Sequence, residues 1–316
     1  MDKLIIQGES DLFGSIDIPG SKNASLPILV ASLLSKKNLN LSNIPNLQDV
    51  KSMMLLLRSF GVKISENNSK LTLNAENLKN NIADYDLVRK MRASILVLGP
   101  LLARFKKAKI SLPGGCSIGT RPIDIHLNSL NKLGINFEIE NGFISGLANN
   151  ELMGNIIDLP FPSVGATENI MMAAILAKGK TIINNAAKEP EIIDLGECLN
   201  SMGAKIIGHG TNTINIEGVN NLHDSNYNVM FDRIVAGTYI LAAVMINKKF
   251  TVKNIQTKYL ESLIQTLIKM KANLIVNDND ITILPSKKII GINIETAPYP
   301  GFPTDLQAQI MSLMCM

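Results

Sequence analysis

The sequence predicts an α/β fold built from repeated β-α-β-α-β-β units. The main observation is a recurring helix start, in which a short polar segment opens an apolar helix around the alanines at 24, 93, 166 and 236. Successive starts are therefore separated by 69, 73 and 70 residues. Such a repeat indicates units that cannot bury both helix faces alone and must pack against one another.

The rest of each unit follows the same order. A short apolar strand, such as 181–183, leads to a second helix with an acidic residue near its start. In three units this second helix stops at a glycine (Gly61, Gly134 or Gly203), which is a common signal just past a helix end. Alternating segments such as 71–73 predict the closing strands.

Four units are complete and a fifth begins near Pro303. The chain reaches Met316 inside an apolar helix, with no closing strand after it. We therefore expect a chain that is truncated relative to its fold, with an incomplete second domain.

Composition limits the class of protein. The 316 residues are 46% hydrophobic and 18% charged, which is typical of a globular protein with sizeable cores. A net charge of +4 is too weak and too evenly spread to indicate a nucleic-acid partner. The apolar run 234–247 is shorter than the roughly 20 residues that span a bilayer, so it predicts a buried helix and no membrane partner. Three scattered cysteines favour a reducing cytoplasm.

The most informative loop reads PGGCSIGTRPID over residues 113–124. Cys116 has no large apolar neighbour within two residues, and Arg121 follows five residues later. Reactive cysteines occupy such partly exposed, electropositive surroundings, so a chemical role and a plain loop cysteine are both open. Cys198, among Leu195, Leu199 and Met202, is instead predicted to be a core cysteine.

Cationic residues recur at the helix starts and after the cysteine loop: Lys22, Arg92, Arg121 and Arg233. Helix N-termini bind anions through unpaired N–H groups, and a nearby cation strengthens this binding. For any one of them alone a solvated surface cation is the favoured interpretation, and the shared position across the units weakens it. Among the other polar residues, Asp305 is either a helix cap or a general base, and local sequence favours the cap.

Other candidates carry weaker signals. Glu189 and Glu191 could cap the next helix or contact a substrate, and the sequence favours capping. His126 follows the Arg121 motif and is expected to line a site, whereas His209 and His223 are predicted loop residues. The histidines and cysteines have no metal-ligand spacing, so no metal site is predicted.

Six segments together resemble the UDP-N-acetylglucosamine 1-carboxyvinyltransferases, the enolpyruvyl transferase family that begins peptidoglycan synthesis. They are PGSKNA at 19–24, MRAS at 91–94, PGGCSIGTRPID at 113–124, SVGAT at 163–167, EPEI at 189–192 and FPTDLQAQ at 302–309. The resemblance extends over the whole chain, and the PGGC loop followed by RPID is its most specific part.

The resemblance implies a two-domain inside-out α/β barrel. The first domain would comprise residues 20–229 and contain three repeat units. The second would comprise residues 1–19 plus 230–316, and it would be incomplete, with about one and a fraction repeat units. The implied reaction transfers the enolpyruvyl group of phosphoenolpyruvate to the 3′-hydroxyl of UDP-N-acetylglucosamine and releases phosphate. The implied enzyme is a cytoplasmic monomer without cofactor, acting in cell wall synthesis and hence in cell shape and division.

The resemblance also implies residue roles. Cys116 would be the acid, able to form a pyruvate adduct, and Asp305 the base. The phosphoenolpyruvate contacts would be Lys22, Asn23, Arg92 and Arg121. The UDP-N-acetylglucosamine contacts would be Arg92, Arg121, Pro122, Ile123, Asp124, Ile125, Ser163, Val164, Gly165 and Asp305.

Three alternatives accompany this interpretation. A shikimate-pathway enolpyruvyl transferase would share the fold and phosphoenolpyruvate chemistry, but the cysteine loop argues against it. A truncated remnant could bind the nucleotide sugar without turnover. An unstable product without function is the third. Phosphate release distinguishes the transferase from the remnant, and a thermal unfolding transition identifies a stable fold.

Overall fold

The computed structural model describes residues 3, 5–8, 13–67, 70–83, 85–89, 91–112 and 123–316. The helices among them are α1 (Lys22–Ala31), α2 (Gln48–Phe60), α3 (Tyr85–Val88), α4 (Leu98–Phe105), α5 (Asp124–Asn131), α6 (Val164–Ala174), α7 (Pro190–Ser201), α8 (Arg233–Ile246), α9 (Glu261–Lys269) and α10 (Gln307–Met314). Short 3-10 helices cover Ser32–Leu34, Arg92–Val97, Thr257–Leu260 and Thr304–Leu306.

The strands among the described residues occur singly between helices or in runs of two or three. They are β1 (Gly14–Asp17), β2 (Asn38–Ser42), β3 (Lys63–Asn67), β4 (Lys70–Asn74), β5 (Ile82–Ala83), β6 (Lys107–Ser111), β7 (Asn136–Glu140), β8 (Phe143–Leu147), β9 (Ile156–Asp158), β10 (Lys180–Asn184), β11 (Lys205–Ile207), β12 (Thr213–Glu217), β13 (Ser225–Asn228), β14 (Phe250–Lys253), β15 (Asn273–Val276) and β16 (Asp280–Leu284). The predicted α/β class is confirmed.

The chain forms two compact units. The larger unit is Gly20–Met230, and the smaller unit combines Met1–Pro19 with Phe231–Met316. The described part of the larger unit contains three four-stranded sheets, with strand orders β13-β2-β4-β3, β5-β6-β8-β7 and β9-β10-β12-β11. The described part of the smaller unit contains one, with the order β1-β14-β16-β15. Each sheet has one parallel pair at one edge and antiparallel pairs elsewhere, as the repeated β-α-β-α-β-β order requires.

The edge strands β1 and β13 do not pair within their own repeats. Strand β13 lies at the end of the larger unit and pairs in parallel with β2 near its beginning, with Ser225 opposite Leu39. Strand β1 pairs in parallel with β14 of the smaller unit, with Gly14 opposite Phe250. The first strand of the chain and the last strand of the larger unit have thus exchanged the positions that sequence order alone assigns to them.

Helices form the centre of the larger unit. In α1 every residue from Ala24 onward is buried, and in α6 every residue from Ala166 onward is buried. A helix enclosed on all sides is mostly apolar all round, as both sequences are apart from Ser25 in α1 and Thr167, Glu168 and Asn169 in α6. The strands instead alternate between buried and exposed side chains, as in β2 and β12, so each sheet turns one face to the core and one outward.

The second repeat differs from the prediction at its first helix. The sequence predicts a helix opening at 91–94, but Arg92–Val97 is a 3-10 helix and the α-helix begins only at Leu98. Pro100 has no backbone N–H, and proline is tolerated in the first turn of an α-helix, where that N–H is not needed. The α-helix therefore starts where Pro100 falls within its first turn.

The predicted glycine stops are confirmed. Gly61, Gly134 and Gly203 have φ angles of 102°, 95° and 99°, in the left-handed region that glycine adopts most readily. In the fourth repeat, Lys271 adopts φ 63° at the corresponding place. The apolar run 234–247 forms most of α8, and no helix among the described residues is both long and apolar enough to cross a bilayer.

A buried carboxylate anchors the end of the larger unit. Asp194 in α7 accepts hydrogen bonds from the Tyr227 hydroxyl at 2.7 Å and from the Met230 N–H at 3.1 Å. Burial raises the pKa of Asp194 to about 6, although both of these hydrogen bonds lower it. The folded chain therefore holds a proton on Asp194 at pH values where the unfolded chain has released it.

Asp194→Asn is expected to change how stability depends on pH. The pKa of Asp194 is higher in the folded chain than in the unfolded chain. Its contribution to the free energy of unfolding is therefore complete below about pH 4 and is lost as pH rises through about 6. The unfolding free energy of wild type minus that of the variant should fall by about 2–3 kcal/mol over this range. Urea titrations between pH 4 and 7 measure it, and a constant difference would contradict the raised pKa.

Tyr227→Phe is the companion variant for this experiment. It removes a hydrogen bond that lowers the pKa of Asp194. The pH range over which stability is lost should therefore extend upward relative to wild type.

Candidate active site

The predicted cation Lys22 is the first residue of α1. Ser21 precedes it as the N-cap, and its hydroxyl oxygen accepts a hydrogen bond from the Ala24 N–H at 3.2 Å. The Lys22 ammonium lies 3.4 Å from a carboxylate oxygen of Asp49, and these side chains are 42% and 41% exposed. Lys22 and Asn23 thus lie at a helix start, a position suited to an anionic ligand.

The turn before α1 requires glycine for a steric reason. A methyl group on Gly20 would collide with the backbone oxygen of Asn43. The Asn43 side chain donates a hydrogen bond to the Val229 carbonyl at 2.8 Å, and the Ser21 N–H donates to the Met230 carbonyl at 2.8 Å. These contacts fix the start of α1 against the last residues of the larger unit.

A second group of predicted site residues lies around His126. This histidine is buried on α5, two residues after Asp124, while Arg92 is half-buried at the start of its 3-10 helix. Burial, and then the charge of Arg92, lower the pKa of His126 to about 4, so its ring is neutral at pH 7. Gly165 faces the same ring, because a methyl group on it would lie 3.1 Å from His126 Cε1 and 3.4 Å from Nε2.

The start of α6 is fixed by its own cap. The Ser163 hydroxyl oxygen accepts a hydrogen bond from the Ala166 N–H at 3.4 Å, and the Thr167 hydroxyl donates to the Ser163 carbonyl at 2.8 Å. Val164 and Gly165 form the first turn that follows. The structure therefore brings the α5 start, with Ile123, Asp124 and Ile125, close to the α6 start, with His126 between them and Arg92 nearby. The predicted site residues Cys116, Arg121 and Pro122 lie outside the described residues.

Asp305 belongs to the smaller unit. It is exposed in the middle of the 3-10 helix Thr304–Leu306, and the cap positions of this helix and of α10 are Pro303 and Leu306. The predicted capping role is therefore wrong, because Asp305 lies inside the turn and not before it. Leu306 is buried against α8, where a methyl group on Gly237 would lie 2.6 Å from its Cδ1. This contact fixes the turn that carries Asp305.

The predicted caps of α7 are also corrected. Glu189 occupies the N-cap position, but its side chain makes no cap hydrogen bond, and Glu191 is buried in the first turn. Both carboxylates, after burial itself, raise the pKa of the fully buried Glu168 on α6 well above its usual range. Glu168 and Glu191 are buried and Glu189 is half-buried, so burial and the two neighbouring carboxylates together favour the neutral form of Glu168.

The remaining candidate residues are characterised by their burial and their contacts with neighbouring side chains. Cys198 is fully buried and burial raises the pKa of its thiol, which confirms a core cysteine. Arg233, at the start of α8, is also buried, with its guanidinium 6.0 Å from the centre of the Tyr299 ring. His209 Nε2 lies 2.7 Å from Glu197 Oε1 on α7. Among the described residues, no group of three histidine, cysteine or acidic side chains is arranged to hold a metal.

Sequence reasoning missed Asn169 and Glu168, which lie side by side in α6. The signal was available, because two strongly polar residues interrupt the apolar helix VGATENIMMAA. A polar side chain in such a helix must find partners in the core. Asn169 has three such partners.

Comparisons with known proteins identify the family of this chain. The family model described as EPSP synthase (3-phosphoshikimate 1-carboxyvinyltransferase) matches residues 6–316. A UDP-N-acetylglucosamine 1-carboxyvinyltransferase of Pelagibacter ubique is 51% identical over 315 residues, covering 100% of this chain and 76% of the relative. The UDP-N-acetylglucosamine 1-carboxyvinyltransferase 2 of Carboxydothermus hydrogenoformans is 48% identical, covering 99% and 75%. The chain belongs to the UDP-N-acetylglucosamine 1-carboxyvinyltransferase family.

The solved structures agree on the fold. The enolpyruvyl transferase NikO from Streptomyces tendae superposes with a TM-score of 0.87 at 20% identity, covering 98% of this chain and 74% of NikO. At this identity the similarity shows the enolpyruvyl transferase fold alone. The predicted inside-out α/β architecture of repeated units is confirmed, and the family assignment rests on the relatives at 44–51% identity.

Proposed function

We propose that the chain transfers the enolpyruvyl group of phosphoenolpyruvate to the 3′-hydroxyl of UDP-N-acetylglucosamine and releases phosphate. The observation that carries this proposal is its 51% identity, along its whole length, to a relative of that name. The geometry supports it, because cation-bearing helix starts of the larger unit suit substrates that carry phosphate and carboxylate groups.

The reaction is an addition followed by an elimination. A proton is added to C3 of phosphoenolpyruvate, and C2 becomes electrophilic. The sugar oxygen bonds to C2 as its hydroxyl proton leaves. Loss of a proton from C3 and of phosphate from C2 then restores the double bond. Cys116 supplies the first proton and can form a covalent adduct at C2, while Asp305 accepts the hydroxyl proton.

The remaining predicted residues bind the two substrates. Phosphoenolpyruvate is held by Lys22, Asn23, Arg92 and Arg121. The nucleotide sugar is held by Arg92, Arg121, Pro122, Ile123, Asp124, Ile125, Ser163, Val164, Gly165 and Asp305. The proximity of the α5 and α6 starts around His126 supports a shared nucleotide-sugar site there.

The proposal extends to the cellular role. The product would enter peptidoglycan synthesis, so the enzyme would act in the cytoplasm as a monomer without a cofactor and support cell wall growth, cell shape and division. Residues 20–229 would form one transferase domain and 1–19 plus 230–316 the other.

Phosphate release with two acceptors tests the proposed reaction. Phosphoenolpyruvate with UDP-N-acetylglucosamine should give phosphate and an enolpyruvyl nucleotide sugar, detected by mass spectrometry. Phosphoenolpyruvate with 3-phosphoshikimate is the matched control, since the matching family model carries that activity in its description. Turnover with the shikimate acceptor only, or sugar binding without phosphate release, would contradict the proposal.

A further inference from the structure

Asn169 joins three segments of the larger unit through one buried amide. Its Oδ1 accepts a hydrogen bond from the Gly99 N–H at 2.7 Å. Its Nδ2 lies 3.0 Å from the Ile95 carbonyl oxygen and 3.1 Å from His126 Nδ1. Asn169 is fully buried, so each of these contacts replaces a hydrogen bond to water.

These contacts determine the orientation of the amide. A backbone N–H can only donate, so the Asn169 atom that faces Gly99 must be the oxygen. The opposite atom is then the nitrogen, whose two hydrogens match the two remaining neighbours. One is donated to the Ile95 carbonyl and the other to His126 Nδ1. His126 Nδ1 must therefore be an unprotonated acceptor.

A neutral histidine with an unprotonated Nδ1 carries its proton on Nε2. The Cε1–Nε2 edge of His126 faces Gly165, in the first turn of α6. Burial and Arg92 lower the pKa of His126 to about 4, so the ring stays in this neutral form at pH 7. The Nε2–H group is thus a donor of fixed direction beside a helix start, where anions bind.

We propose that Asn169 is a positioning residue, which holds His126 as the Nε2–H tautomer so that it donates a hydrogen bond to a phosphate oxygen of the nucleotide sugar. This inference rests on the proposed function for the identity of the ligand. The tautomer itself rests on the contacts of Asn169 alone. Asn169 acts through His126, and the same amide fixes the 3-10 helix that begins with Arg92.

The tautomer is measured directly by two-bond ¹H–¹⁵N correlation spectra of the chain with ¹⁵N-labelled histidine. The sequence contains three histidines, and the signal lost in His126→Gln assigns His126. At pH 7 wild type should show an unprotonated Nδ1 and a protonated Nε2. A protonated Nδ1 in wild type would overturn the proposal without any reference to activity.

Asn169→Asp tests the positioning role with little change in volume. A carboxylate can still accept from the Gly99 N–H but cannot donate to His126 Nδ1, so the proton should move to Nδ1 or the ring should become charged. An unchanged His126 spectrum in this folded variant would overturn the role of Asn169. If the variant does not fold, the wild-type spectrum still tests the tautomer, and the His126 variants still test the donor role of His126.

Binding of UDP-N-acetylglucosamine tests the ligand, by calorimetry. His126→Leu should raise its dissociation constant by about 10- to 100-fold, the range for a hydrogen bond to a charged group. Asn169→Asp should do the same when its spectrum shows the proton on Nδ1, whereas a charged ring would keep the Nε2–H donor and bind at least as tightly as wild type. His126→Gln keeps an N–H donor and should bind more tightly than His126→Leu, while His223→Gln, an exposed loop control, should bind as wild type. Equal affinities for His126→Gln and His126→Leu would overturn the donor role.

The two proposals fail in different ways. A wild-type chain that does not bind the nucleotide sugar would contradict the proposed function and the ligand assigned to His126. The ¹H–¹⁵N spectrum of His126 would in that case still test the tautomer by itself.

Discussion

Replacing Cys116 by alanine is expected to lower the rate of phosphate release by about 10²–10⁴-fold, the usual contribution of a positioned general acid. A cysteine thiol in water has a pKa of about 8.5 and is mostly protonated at neutral pH, which is the form that the proposed acid requires. Alanine removes the proton donor and replaces the thiol with a hydrogen atom. Steady-state phosphate release at saturating substrates measures the loss.

The chain offers a matched control for this variant. Cys315 is an exposed cysteine outside the predicted site, so Cys315→Ala should keep wild-type turnover. UDP-N-acetylglucosamine should still bind to Cys116→Ala, because the predicted sugar contacts are other residues. Mass spectrometry should detect a pyruvate adduct on wild type and none on Cys116→Ala. Wild-type rates in Cys116→Ala would exclude the thiol as the acid.

Asp305→Asn is expected to lower turnover by a similar factor, about 10²–10⁴-fold, because an amide cannot accept the proton of the sugar hydroxyl. The substitution keeps the size of the side chain. Asp305 is exposed, and its turn is fixed by the packing of the buried Leu306, so the unfolding temperature should change little. Phosphate release and thermal unfolding of the same samples test both statements.

Asp278→Asn provides the comparison for Asp305. Asp278 is an exposed aspartate in the turn between β15 and β16 of the same unit, so its substitution removes the same charge outside the predicted site. Its turnover should equal that of wild type. Equal losses in the two variants would indicate an effect of net charge on substrate attraction and not a base at position 305.

The repeats were readable from the sequence because their signals are local. An apolar helix can be recognised from about ten consecutive residues. A glycine stop needs only one residue, such as Gly203, which adopts a φ angle of 99°. The first helix of the second repeat was misjudged at its start, since the effect of Pro100 depends on which turn of the helix contains it.

The candidate site was predicted in part. Motifs identified Lys22, Arg92 and the α6 start at Ser163–Gly165 as residue types suited to anions. They did not indicate that Asp49 lies beside Lys22, nor that Asp305 is inside a 3-10 turn instead of capping it. Both depend on how the chain turns between elements, which residue type alone does not specify.

The sequence by itself determined the α/β class, the order of elements in each repeat and the family, because periodicity, turn residues and motifs are properties of short segments. The tertiary structure decided which strands pair and which polar groups meet. Strands β1 and β13 take their partners from distant repeats, and Asn169 bonds residues 43, 70 and 74 positions away. Such contacts form only where packing has excluded water and buried polar groups must satisfy one another, a condition that a local segment cannot express.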